Sequence, residues 1–337
     1  MRVLILGGTG LISTSITRQL VARGDQVTLF NRGQRESRVP DGVETITGDR
    51  KDYAAFEERM ARTDWDGVID MIGFVPADAE SAIRAFRGRT TRFVFCSTVC
   101  VYNGRMTTTP ATDDEPLDAI SDYGKNKAIC ENLCMAAHRE DGFPAVVIRP
   151  SHTYGEGGAI IHSLGWTSTF LDRVRKGKKV IVHGDGKTLW ASCHIDDVAR
   201  AFVGALDNPA AVGQSYHVTG DNAQTWDEYV EGVAEAIGGK ADIVHIPTDL
   251  LAALSPKRAN FTQIEFQYNR VFDNAKAKRD LGFAYTIPWV EGVRRTVAWL
   301  DSRGKIDNSD DDPFDDRVIA MWEKMGAQMV ANCGEEA

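Results

Sequence analysis

Four apolar residues, Val3 to Leu6, run directly into Gly7-Gly8-Thr9-Gly10, after which the apolar positions change period and fall at Ile12, Ile16 and Leu20. A short unbroken apolar run suits a strand buried on both faces of a parallel sheet, and the four-residue spacing after it lays one helical stripe against that sheet. The glycines between them mark a tight turn, or more than a turn. They leave the first N–H groups of the helix uncovered, where free donors and the helix dipole favour an anion. Strand, glycine turn and helix in this order are the context in which such a motif holds a dinucleotide pyrophosphate, with Gly7 serving the turn and Gly10 the close approach of the backbone. Gly7, Gly10, Leu11 and Ile12 are therefore expected to contact a cofactor.

The pattern repeats through the first half of the chain. Strands are predicted at Val3 to Leu6, Val27 to Phe30, Val43 to Thr47, Val68 to Met71, Phe93 to Cys96 and Ala145 to Ile148, with helices at Tyr53 to Arg62, Ala77 to Phe86 and Tyr123 to Arg139. That alternation implies an α/β protein built on a Rossmann-type, doubly wound parallel sheet. The expected division is a dinucleotide-binding domain over residues 1–150, with a segment near 180–220 returning to it, and a smaller mixed substrate lobe over 151–302. In the lobe a helix is expected near Ser168 to Lys176, and another opens at Thr225, with Glu228 three residues on as a capping partner. An acidic extension over 303–337 carries a helix from Arg317 to Val330.

Lys and Arg number 39 against 48 Asp and Glu, a formal charge of -9. Such a surface repels a phosphate backbone, so nucleic acid is an unlikely partner on charge grounds. The six cysteines include no CxxC pair, consistent with a reducing cytosol. The N-terminal apolar run is too short for an export signal, and no run reaches membrane-spanning length, so a cytoplasmic protein is expected.

Taken with Tyr123-Gly124-Lys125-Asn126-Lys127, the glycine turn resembles that of the extended short-chain dehydrogenase/reductase family, the NAD-dependent epimerases and dehydratases. The resemblance covers about residues 1–300, through Arg149-Pro150, His194-Ile195-Asp196-Asp197-Val198-Ala199 and Ala275-Lys276-Ala277-Lys278-Arg279-Asp280-Leu281-Gly282. Ser13 stands where the family usually has a third glycine. The resemblance implies an NAD(P)(H) cofactor. Asn31-Arg32-Gly33, with Arg35 behind and no acid until Glu36, tilts the choice toward NADP, because an arginine there accommodates a 2′-phosphate; otherwise these residues form a solvated turn. Asp49 matches a family position beside the adenine or caps the next helix, and Arg50 and Pro150 complete the expected cofactor contacts.

A tyrosine four residues before a lysine on one helix places both on the same face, and a nearby ammonium lowers a phenol's pKa toward the working range. By resemblance Tyr123 transfers the proton, Lys127 tunes it and touches the nicotinamide ribose, and Thr98 orients the substrate hydroxyl. Ser97 is the neighbour that one residue of register error would put in its place. Val99-Cys100 follow Thr98 where 4,6-dehydratases carry an Asp-Glu pair, which marks dehydration down. Trp190 occupies the position of an arginine that pairs with the diphosphate in UDP-sugar epimerases; it can stack on a sugar ring or another apolar face, leaving Lys257 or Arg258 as a cationic contact. His152 is either a substrate contact or a buried hydrogen-bonded histidine.

Cys130, Cys134 and His138 share a helix face and read as a core stripe rather than a zinc site, so no metal is expected. Asp196 and Asp197 are expected to cap a helix starting around Val198. The whole implies an oxidoreductase or epimerase acting on a secondary hydroxyl or ketone of a sugar-like small molecule, working as a homodimer paired partly through the Tyr123 helix. The alternative is a nucleotide-sensing or RNA-associated binding protein, since the Asn-Arg-Gly turn is also similar to that of the chloroplast stem-loop-binding relatives.

Overall fold

The apolar runs become the strands of one seven-stranded sheet in a computed structural model, which describes residues 1–34 and 38–334. In chain order these are β1 (Arg2–Leu6), β2 (Gln26–Asn31), β3 (Glu44–Thr47), β4 (Gly67–Asp70), β5 (Phe93–Cys96), β6 (Ala145–Pro150) and β11 (Gln214–Val218). They lie in the order β11-β6-β5-β4-β1-β2-β3, every neighbour parallel. Period two then sorts side chains by face. Val3 and Ile5 join Ile16 and Leu20 of α1 (Leu11–Arg23), Phe202 of α6 (Ile195–Asp207) and Leu281 of α9 (Ala275–Leu281). Leu4 and Leu6 meet Phe56 of α2 (Tyr53–Met60), Phe86 of α3 (Pro76–Phe86) and Cys130 and Cys134 of α4 (Asp122–Asp141). The sheet is thus covered on both faces, as the sequence implied. Strand order reverses beside β1, where α/β sheets open a crevice at their carboxyl ends.

The chain forms two compact units. The first comprises Met1–Gly155, Ala191–Asn222 and Val271–Pro288, including the short parallel pair β7 (His152–Tyr154) and β10 (Ser192–His194). The return begins at Ala191 rather than near 180, because β8 (Val180–His183) pairs with β13 (Ile243–Ile246) in the second unit. The seventh strand, β11, was hidden by its polar residues. His217, 1% exposed, is buried because its Nε2 shares a 2.7 Å hydrogen bond with the Tyr102 hydroxyl.

The second unit comprises Glu156–Trp190, Ala223–Arg270 and the chain from Trp289 on. It contains α5 (Thr169–Arg175), the antiparallel pair β9 (Leu189–Trp190) and β12 (Gln224–Thr225), α7 (Trp226–Ala236), α8 (Thr248–Leu254), α10 (Trp289–Ser302) and α11 (Phe314–Cys333). Thr225 and Glu228 form the expected capping box of α7. The acidic extension meets a basic run: Arg173 pairs with Asp316 at 2.7 Å, and Lys176 and Lys178 with Asp310 at 2.6 and 2.5 Å, while Arg175 pairs with Asp301 of α10 at 2.7 Å. Beyond it α11 seats Phe314, Val318, Ile319 and Trp322 against Ile181, Ile246 and Leu251. Among the described residues no helix is long and apolar enough to cross a membrane.

Candidate active site

A cleft of about 690 Å³ in the first unit is lined by the glycine turn, the ends of β2 and β3, the loop after β4, and Tyr123 and Lys127 of α4. Gly7 holds φ +109°, a conformation side chains avoid, and a Cβ there would stand 3.0 Å from Ile72. Ser13 does more than stay small. Its Oγ accepts the Gly10 N–H at 2.8 Å and ties the turn to the first turn of α1. That first turn carries no acidic side chain, and its N–H groups have no intrahelical acceptor, so Leu11 and Ile12 present donors suited to a pyrophosphate.

At the far end Asn31 Oδ1 accepts the Gly33 N–H at 2.7 Å and shapes the turn that brings exposed Arg32 to the cleft. Arg35 and Glu36 lie outside the described residues. Asp49 is exposed on the lining and does not cap α2; Asp52 does, accepting the Ala55 N–H at 3.2 Å. Arg50 also lines the cleft, yet its Nη2 is spent inward on Asp70 at 3.0 Å and the Asp78 carbonyl at 2.6 Å, over the Phe56 ring.

Tyr123 and Lys127 stand one turn apart behind the Ser121 cap, whose Oγ accepts the Gly124 N–H at 3.1 Å. Two residues past β5, Thr98 accepts the Cys100 N–H at 3.2 Å and interacts with the Tyr123 side chain; Ser97 Oγ has no partner among the described residues. The expected fall in the Tyr123 pKa is not what this arrangement produces. Although the residue as a whole is 45% exposed, burial of its hydroxyl pushes the phenol up, with Cys100 and Cys96 adding and Thr98 opposing. The Lys127 ammonium is turned instead to the carbonyls of Gly73 and Cys96.

Other expected contacts are not among the residues that line this cleft. Thr98 and Pro150 do not line it; Pro150 ends β6, opposite Val218. His152 is 8% exposed, shares a 2.9 Å hydrogen bond with Ser192, and burial lowers its pKa to about 3. In the second unit Trp190 lies against Phe266 and Trp226, with ring centroids 4.9 and 5.5 Å away, and Arg258 pairs with Asp312 at 2.7 Å. Cys130 and Cys134 are core residues, and His138 turns to the Phe143 carbonyl. Helix α6 starts earlier than expected and is capped by His194, whose ring accepts the Asp196 N–H. Asp197, fully buried, accepts the N–H groups of Thr286 and Ile287 instead. Sequence reasoning overlooked Met71, Ile72 and Phe74, which line the cleft after β4. The rule that ligands sit at strand carboxyl ends, applied to β4, would have found them.

A family model described as the NAD dependent epimerase/dehydratase family matches residues 3–219. The chain belongs to this family. Among curated relatives it is similar to 2'-dehydrokanamycin reductase of Streptomyces kanamyceticus, 27% identical over 310 residues, 92% of this chain and 87% of the relative. It is also similar to the chloroplast stem-loop binding protein of 41 kDa b of Arabidopsis thaliana, 26% identical over 337 residues, 95% of this chain and 84% of the relative. The dTDP-glucose 4,6-dehydratase of Bacillus anthracis, solved in complex with NAD, shares the fold with a TM-score of 0.72 at 18% identity, covering 90% of this chain and 97% of that one.

Proposed function

We propose that this member of the family is an NAD(P)-dependent oxidoreductase that interconverts a ketone and a secondary hydroxyl on a sugar-like substrate, with reduction the favoured direction. The observation that carries the reading is that one cleft joins the glycine turn, the start of α1, Tyr123 and Lys127. A bound nicotinamide dinucleotide would supply the hydride. Leu11 and Ile12 offer main-chain donors for its pyrophosphate, and Arg32 offers a cation suited to a 2′-phosphate.

The chain's own part is to place a proton. A phenol is protonated at neutral pH and burial of the Tyr123 hydroxyl pushes it further that way, so it stands in the state needed to donate to a ketone oxygen as hydride reaches the carbon. Thr98, on the same hydroxyl, orients the oxygen. Similarity to 2'-dehydrokanamycin reductase supports the reductive direction, and Val99-Cys100 after Thr98 offer no carboxylate pair for dehydration. An epimerase would retain its dinucleotide between two half-reactions; a reductase exchanges it.

The test begins with the purified protein: identification of any dinucleotide released on denaturation, fluorescence titration with NADPH and NADH, and turnover with 2'-dehydrokanamycin as first probe. Tighter NADPH binding and turnover abolished by Tyr123→Phe are expected. Tightly retained NAD would replace the reductase with an epimerase cycle. Full activity in Tyr123→Phe would end the proton-transfer reading, and salt-dependent micromolar affinity for RNA without turnover would favour a binding protein.

A further inference from the structure

The Lys127 side chain is buried at 1% exposure, and its ammonium makes no ion pair among the described residues. Its Nζ donates to the carbonyls of Gly73 and Cys96 at 2.8 and 2.6 Å, while the rings of Phe74 and Phe95 have their centroids 4.9 and 4.8 Å away. Carbonyl dipoles and ring quadrupoles solvate a cation without cancelling it. A carboxylate in the same place would have neutralised the charge. An ammonium has three N–H donors, so with two given to carbonyls one remains.

The members of this cage are not equivalent. Phe95 is fully buried in β5, and Gly73 is pinned against it, since a Cβ there would stand 2.7 Å from the Phe95 ring. Phe74 is different: it is 45% exposed, lines the cleft, and is held through its N–H to Asp78 Oδ2 at 2.9 Å. Of the two rings it is the one that lines the cleft.

We propose that Phe74 is a positioning residue whose ring, with the two carbonyls, holds the Lys127 ammonium un-neutralised and fixed at the wall of the cleft, so that its remaining N–H donor stays available to the group bound there while Tyr123 gives up its proton. This rests on the proton-transfer reading above. It assigns to Phe74 the task of keeping the charge in place, through Lys127, without touching the reacting atoms.

The test compares Phe74→Leu, which keeps apolar bulk but has no π face, with Phe74→Trp, whose ring binds cations best. The first readout needs no turnover: the rate at which an amine-acylating reagent modifies Lys127, measured by peptide mass spectrometry. Losing the ring should speed labelling about fivefold in Phe74→Leu, with Phe74→Trp at or below the wild-type rate. The second is steady-state kinetics, in which Phe74→Leu should lower kcat about three- to tenfold at nearly constant substrate KM, and Phe74→Trp should restore it. Equal labelling in all three proteins, or a tryptophan variant that behaves like leucine, overturns the proposal. If labelling follows the expected order while the wild-type protein turns over no ketone, the catalytic reading falls and the cage stands. If turnover is present and labelling is flat, the reverse holds.

Discussion

Replacing Glu131 by glutamine would take from the buried Arg149 guanidinium the carboxylate it is bonded to and leave only the weaker pull of Asp113. Glu131 is 1% exposed and Arg149 5%, and the pair is bidentate, with Nε 3.1 and 3.0 Å from the two carboxylate oxygens and Nη2 2.7 Å from one of them. Burial alone would weaken the hold of Arg149 on its proton, but Glu131, then Tyr102 and Asp113, more than reverse that and keep it charged. Breaking such a pair from one side costs about 3–5 kcal/mol, because the surviving ion stays desolvated. At about 2.1 cal/mol/K of unfolding entropy per residue, 1 kcal/mol is worth roughly 1.4 °C in a chain of 337 residues, so the melting temperature of Glu131→Gln should fall by roughly 4–7 °C. Differential scanning calorimetry and urea unfolding would read it. The partner experiment removes both charges: Glu131→Leu with Arg149→Met should recover most of the loss, since an apolar pair of similar volume carries no desolvation penalty. A single-variant cost below about 1 kcal/mol, or a double variant as unstable as the sum of the singles, would refute the argument.

Three further outcomes are expected. Gly124→Ala would place a Cβ 2.0 Å from the Cys100 carbonyl oxygen and 2.9 Å from Ala119 Cβ, so it should cost about 3 kcal/mol or more and displace Tyr123; a wild-type melting temperature and activity would contradict this. Burial pushes the Asp113 pKa up from 3.8 to about 6, against the pull of Lys276 and Arg149, so the native state holds this proton more tightly than the unfolded chain. Its contribution to stability is full below pH 3.8 and lost as pH rises through about 6. Asp113→Asn should therefore gain on the wild type between acid and neutral pH, whereas an equal urea-midpoint difference at both would count against it. Finally, Cys333 is exposed while Cys96, Cys130, Cys134 and Cys193 are buried with their thiols pushed up, so a thiol reagent mapped by peptide should mark Cys333 in the native protein and reach those four only on unfolding.

The central strands are legible in the sequence because a strand buried on both faces cannot hide its apolar run; Phe93 to Cys96 is found to the residue. The glycine turn and the Tyr123–Lys127 spacing are legible because each is local, within one turn of backbone. What depends on distant partners is not. His217 interrupts an apolar reading of β11 until Tyr102 is seen beside it, 115 positions away in the chain. Helical spacing would place Glu131 on the Tyr123 face, but nothing local announces that Arg149 waits there. The sign of the Tyr123 shift depends on how deeply the hydroxyl is buried and where the Lys127 ammonium turns, and both involve the end of β5 and the loops after β4 and β5 rather than α4 alone.

The interleaving of the two units has a consequence for how the molecule is made and altered. Every residue lining the cleft lies between Gly7 and Lys127, so a ribosome has delivered the whole set when less than half the chain exists. The face of the sheet formed by Val3 and Ile5 nevertheless waits for α6, and β6 stands as a bare edge until β11 arrives. A nascent chain ending near residue 155 therefore carries a complete cleft lining on a sheet with one open edge, the kind of edge that pairs with other chains. For the same reason no single cut separates the units: exchanging the second one for a relative's requires three grafted segments and five junctions, each of which must preserve a strand or helix that belongs to the other unit.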